Sequence, residues 1–199
     1  MFHKIIDLTV PISNNTQGVK ISLQNNLPVY LGQKCYAYDI DIKSHIGTYF
    51  ETSSHVFRNG IDTDDVLVEN LFLLGYCIRI NTPEKCITYK ELEESCHSLK
   101  HNSALLVDTC GDDKKYFSKD AAQWMVSHKI ALMASNTKCY DTGFTNPTGF
   151  FIDLFKANIP IVANIVNLEL LPQSGFYLVV MPLKVQNICT VPSRVIALV

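Results

Sequence analysis

Short apolar runs alternate with segments of helical periodicity through the later part of this 199-residue chain, and that alternation limits its fold more than any other feature. Residues 76–80, 104–108, 130–134 and 161–166 are apolar, of strand length and bounded by turn residues, so they are expected as strands. Between them, Thr88 and Glu91 have the spacing of a capping box that opens a helix. Ser118 is placed to cap a helix over 119–129, in which Ala122, Met125 and Val126 keep helical spacing, and 150–157 is helix-like. Strands and helices in this order pack as an α/β fold.

The earlier part reads differently. A β-prone run at 5–10 ends at Pro11, and 19–33 reads as a loop around Asn25-Asn26-Leu27-Pro28. Over 36–42, Tyr36, Tyr38, Ile40 and Ile42 share one face and Asp39 and Asp41 the other, the pattern of a half-buried strand. Asp64 and Asp65 suit the positive end of a helix dipole, so a short helix is expected through Leu71, with Gly75 as its stop. His97 and His101 flank the end of the helix opened at Thr88, and the last strands are expected at 176–182 and 195–199.

Hydrophobic residues make up 47% of the chain and charged residues 18%, a globular balance that suits one domain over 1–199. A net charge of -2 and the lack of a basic stripe argue against nucleic acid as a partner. No apolar run is long enough to span a bilayer, and the first residues do not read as a signal peptide, so a cytoplasmic protein is expected. The seven cysteines are scattered without a C-x-x-C pair, which suits reduced thiols and neither a disulfide framework nor a zinc ribbon.

Chemistry concentrates in His45-Ile46-Gly47-Thr48-Tyr49-Phe50-Glu51-Thr52-Ser53-Ser54-His55. If this segment is extended, His45, Tyr49, Glu51 and His55 project to one side. Two imidazoles and a carboxylate on one face are ligands for zinc or manganese. A Ser53 or Ser54 nucleophile beside His55, or Cys110 or Cys139 as nucleophile, is a separate reading, although no nucleophile-elbow pattern surrounds them.

The same segment resembles the signature H-x-G-T-H-x-D-x-P-x-H of the cyclase or kynurenine-formamidase-like family of metal-dependent amide hydrolases. His45, Gly47, Thr48 and His55 match it in place, while Tyr49, Glu51 and Ser53 stand where the family has histidine, aspartate and proline. Asp7-Leu8-Thr9, Asp141-Thr142 and Pro192-Ser193-Arg194 extend the resemblance along nearly the whole chain. It implies a single-domain β/β/α sandwich of the swivelling-domain type. It also implies metal ligands at His45 and Glu51, a proton-moving His55, and Thr48 and Tyr49 near the substrate. Two further family ligands fall on Ile152 and Asn164. Isoleucine cannot ligate, Asp153 could replace it after a register shift, and Asn164 offers a weak neutral oxygen as a third metal ligand.

The resemblance therefore implies a zinc or manganese hydrolase of formamides or cyclic amides, similar to an arylformamidase, with a small-molecule substrate, a degenerate site and a homodimer or higher homo-oligomer. Its alternative is an inactive relative that keeps a small-molecule pocket or an assembly role.

Overall fold

The computed structural model describes residues 3–96, 98–143 and 145–199. In chain order the strands are β1 (Ile5–Asp7), β2 (Val19–Leu23), β3 (Val29–Tyr30), β4 (Gln33–Lys34), β5 (Tyr38–Ile42), β6 (Tyr49–Glu51), β7 (Phe72–Arg79), β8 (Cys86–Ile87), β9 (Ala104–Asp108), β10 (Tyr116–Phe117), β11 (Leu132–Ser135), β12 (Ile161–Ala163), β13 (Phe176–Pro182) and β14 (Thr190–Leu198). The helices are α1 (Tyr89–Ser95), α2 (Lys119–Ser127) and α3 (Phe150–Lys156).

The apolar runs form the parallel centre of an eight-stranded sheet ordered β1-β14-β13-β7-β9-β11-β12-β6. Strands β7, β9, β11 and β12 are parallel, and their crossovers carry α1, α2 and α3, as parallel pairing requires. Because β6 pairs antiparallel with both β12 and β14, the sheet closes on itself like a barrel. The two ends of the chain meet where β1 pairs with β14.

Side-chain alternation along these strands divides the apolar residues between two cores. Phe50, Cys77, Leu106, Ala134, Val162, Phe176 and Leu178 belong to one, built from the strands. Leu105, Val107, Met133 and Ile161 belong to the other, which adds Leu92, Ala122, Met125, Phe150 and Leu154 from the helices. The expected caps form: the Thr88–Glu91 capping box opens α1, and the Ser118 hydroxyl accepts from the Ala121 N–H at the start of α2. Among the described residues no helix is long and apolar enough to cross a membrane.

Several expectations need correction. No α-helix runs from Asp64 to Leu71; two short 3-10 turns, Thr63–Asp65 and Val68–Leu71, take its place. Gly75 stops nothing. It lies inside β7, where the ring of Phe176 packs so close that a Cβ would stand 2.1 Å from Cε2.

Segment 19–33 is not merely a loop, since β2 pairs with β5 in a separate two-stranded ribbon and β3 with β4 in a hairpin. Within this arm Tyr36, Tyr38 and Ile40 are exposed rather than half-buried, because the ribbon is not part of the main sheet. The expectation for His97 falls outside the described residues.

Candidate metal centre

The segment from His45 to His55 is not one extended strand. Gly47 takes a positive φ of 61°, and a Cβ there would come within 2.9 Å of Ile12 Cγ1, so the chain turns at a point where a larger residue would be strained and crowded. Only Tyr49–Glu51 is strand, and Ser53–His55 winds into a 3-10 turn. The bend before β6 and the turn after it bring His45 and His55 to the same carboxylate.

Glu51 is the fixed member of this group. It sits in β6 between Ile161 of β12 and Thr190 of β14, and its side chain is 4% exposed. A carboxylate so placed needs partners to offset its lost hydration. Its Oε1 lies 3.1 Å from His45 Nε2 and 3.0 Å from His55 Nδ1, and it accepts from the Thr190 hydroxyl at 3.3 Å. One nitrogen of each ring and a carboxylate oxygen, the three atoms that could ligate an ion, all lie within 4.8 Å of one another. Two imidazoles and a carboxylate match, in donor type and number, the three protein ligands of catalytic zinc sites.

The surrounding groups orient the set. Ser44 Oγ lies 3.0 Å from His45 Nδ1, which ties down the ring nitrogen that faces away from Glu51. The hydrogen bond to Glu51 holds the His55 imidazolium to about pH 9, against the partial burial that favours the neutral ring. Tyr49 packs its ring edge-on to His45, with centroids 5.2 Å apart. Burial, and then the nearby Glu51 charge, push its phenol up to about 12, so it is protonated at neutral pH.

The remaining expected positions are placed as follows. Thr48 is buried; its hydroxyl accepts from the Val10 N–H at 2.9 Å and donates to the Asn164 carbonyl at 2.7 Å, joining three segments. The Asn164 amide nitrogen donates to the Gly47 carbonyl at 3.1 Å. Ile152 is exposed on α3, and Asp153 accepts from the Gln123 amide at 2.8 Å and is not a member of the His45–Glu51–His55 group. Ser53 Oγ donates to Asn158 and accepts from the Ile61 N–H, while Ser54 Oγ is buried without a hydrogen-bond partner. Among the described residues no serine hydroxyl is hydrogen-bonded to His55, and Cys110 and Cys139 are exposed thiols with no histidine contact.

Sequence reasoning missed Ser44, Cys189 and Thr190. The last two lie more than a hundred residues from the motif and reach it only through the β6–β14 register, Thr190 opposite Glu51. Together with Ser54, Arg58, Asp62 and Asn187 these three line an open depression of about 470 Å³ beside the histidines. Neither this depression nor a more enclosed cavity of about 320 Å³, between Thr52, Asp65, Leu67 and Asn158, is lined by any of the three donors; the depression reaches them through their neighbours Ser44, Ser54 and Thr190.

A pH dependence follows for the metal-free protein. The folded pKa of His55 lies above the ordinary 6.5, so its stabilisation is complete below about pH 6.5 and is lost as pH rises through about 9. With the side chain a third exposed, the effect is discounted to on the order of 1 kcal/mol, or about 2–4 °C in Tm. A Tm that falls by that amount between neutral pH and pH 10, and does not in Glu51→Gln, is the expected result.

A family model described as a putative cyclase matches residues 6–142. No curated protein matches. Among solved structures, isatin hydrolase A from Labrenzia aggregata bound to benzyl benzoate aligns at 17% identity and a TM-score of 0.80, over 98% of this chain and 93% of that one. An isatin hydrolase bound to the product analogue thioisatinate aligns at 20% identity and 0.80, over 98% and 92%. A protein described as a predicted metal-dependent hydrolase from Bacillus stearothermophilus aligns at 18% and 0.77, over 98% and 97%. At these identities the likeness is one of fold.

Proposed function

Since the chain belongs to the putative cyclase family, we propose that it is a metal-dependent hydrolase of amide C–N bonds in small formamides or cyclic amides. The observation that carries this reading is the convergence of His45 Nε2, Glu51 Oε1 and His55 Nδ1, which would hold one zinc or manganese ion. When bound, the ion supplies Lewis-acid polarisation of the substrate carbonyl and a more acidic water. Isatin hydrolases share the fold, which favours an amide carbonyl as the electrophile.

The protein's own groups supply the rest. Ser44 and Thr190 orient His45 and Glu51. The protonated Tyr49 phenol is a donor for charge developing on the carbonyl oxygen, and Thr48 acts from below by holding the chain at Gly47 and Asn164 together. Arg58, Asp62 and Asn187 give the depression polar groups for a small-molecule substrate. The site is degenerate in this reading: Tyr49 and Ile152 give no ligand, and Asn164 is at most a weak one.

His55 has an alternative role with its own support, in which His45 and Glu51 hold the ion without it. The hydrogen bond to Glu51 favours the protonated ring in the metal-free protein, which supports His55 as the acid for the leaving nitrogen, the part the resemblance gives it; in that role Nδ1 carries the proton and is not a ligand. The swivelling-domain architecture and a homo-oligomer belong to the same reading. The exposed Tyr30, Leu31, Tyr36 and Tyr38 of the arm support the oligomer, because apolar groups gathered on a surface commonly mark contacts.

The test is hydrolysis of isatin and N-formylkynurenine by protein loaded with zinc or manganese, alongside His55→Ala. Turnover is expected with at least one of them. Loss of bound metal in His55→Ala assigns the ligand role, and retained metal with lost turnover assigns the acid. A wild-type protein that binds metal yet hydrolyses neither compound would favour the inactive, pocket-keeping relative.

A further inference from the structure

We propose that Cys189 supplies a thiolate to the ion at His45, Glu51 and His55, making this a sulfur-containing centre that prefers zinc and cobalt to manganese. The inference rests on the reading of these residues as a metal site. Its basis is the position of a thiol that the histidine-and-carboxylate motif does not include.

The Cys189 sulfur lies 3.7 Å from His55 Nδ1. Sulfur and nitrogen ligands at their usual distances from a tetrahedral zinc are separated by about 3.5 Å, so the sulfur already stands near that spacing from one of the three donors. The Thr190 hydroxyl ties the sulfur to the rest of the group. Its oxygen is 3.5 Å from Cys189 Sγ, 3.3 Å from Glu51 Oε1 and 3.4 Å from His45 Nε2.

The backbone of Cys189 is clamped to the strand and turn that carry Glu51 and His55. Its carbonyl accepts from the Thr52 N–H at 2.9 Å and from the Thr52 hydroxyl at 3.1 Å. The sulfur is not one of the three atoms that lie within 4.8 Å of one another, so capture requires rotation about the Cys189 Cα–Cβ bond, with the backbone already in place. The residue is half-buried and lines the open depression, where an arriving ion can reach it.

Ligand chemistry then sets the preference. Thiolate binds zinc and cobalt far better than it binds manganese, whereas imidazole and carboxylate discriminate less. On coordination the sulfur–hydrogen bond breaks, the electron pair stays on sulfur to form the sulfur–metal bond, and the proton goes to solvent. This donor makes up for the phenol that Tyr49 puts at the position of a family histidine.

Cobalt titration of the full chain under reducing conditions tests this by absorption spectroscopy. The expected result is visible d–d bands saturating at one equivalent, together with a near-ultraviolet sulfur-to-cobalt charge-transfer band. In Cys189→Ser the charge-transfer band disappears, the d–d bands remain, and cobalt affinity falls by about tenfold or more while manganese affinity hardly moves. Cobalt binding without that band in the wild type, or a band that survives Cys189→Ser, overturns the inference and leaves the metal site standing. No cobalt binding at all overturns both.

Discussion

Glu51→Gln is expected to weaken zinc and manganese binding by more than about a hundredfold, since even partners one shell further out commonly cost 10–100-fold. The carboxylate is the one group that both histidines share, and it is almost fully buried at 4% exposure. Glutamine keeps the shape and the hydrogen bond from Thr190 but removes the charge that attracts the ion and holds the His55 proton. Two readouts should therefore move together. Calorimetry should record the lost affinity, and imidazole proton resonances should move the His55 midpoint from about 9 down toward the ordinary 6.5. An affinity within about tenfold of wild type would remove Glu51 from the ligand set.

Gly75→Ala is expected to be the most destabilising small substitution in the strand core. The added methyl would stand 2.1 Å from Phe176 Cε2 and 2.5 Å from Cζ, and the ring is fully buried with nowhere to retreat. Overpacking of this kind costs about 3 kcal/mol, which for a chain of this size is a fall of about 6–12 °C in Tm. Gly75→Ala combined with Phe176→Leu should recover part of the loss, because the two positions share one contact. A loss under about 1 kcal/mol in the single variant would mean that the ring and strand β7 are less tightly held than described.

These two residues mark what could and could not be read in advance. The parallel strands and their helices were legible because each buried run carries its own periodicity and caps, as the Thr88–Glu91 box and Ser118 do. Gly75 was misread because local rules treat glycine as a helix stop, and only the approach of Phe176 from a strand about a hundred residues away explains it. Asp64 and Asp65 satisfied a local helix rule that the two 3-10 turns there do not follow. The exposed arm was misread for a similar reason: alternation in 36–42 says that one face is apolar, not that anything covers it.

At the site, His45, Glu51 and His55 were legible as residue types in one short segment, and they do converge, though through a turn at Gly47 and a 3-10 turn rather than along one strand. Thr48 was legible as a position but not as a connector between Val10 and Asn164. Cys189 and Thr190 had no signal at all, because only the pairing of β14 with β6 brings them to the carboxylate.

Elemental analysis of protein purified without chelator bears most directly on the central claim that His45, Glu51 and His55 together hold a divalent ion. About one equivalent of zinc or manganese in the wild type, lost in His45→Ala while both proteins remain folded, is the predicted result. Folded wild-type protein that carries no divalent metal, and takes up none when zinc or manganese is added, would contradict it.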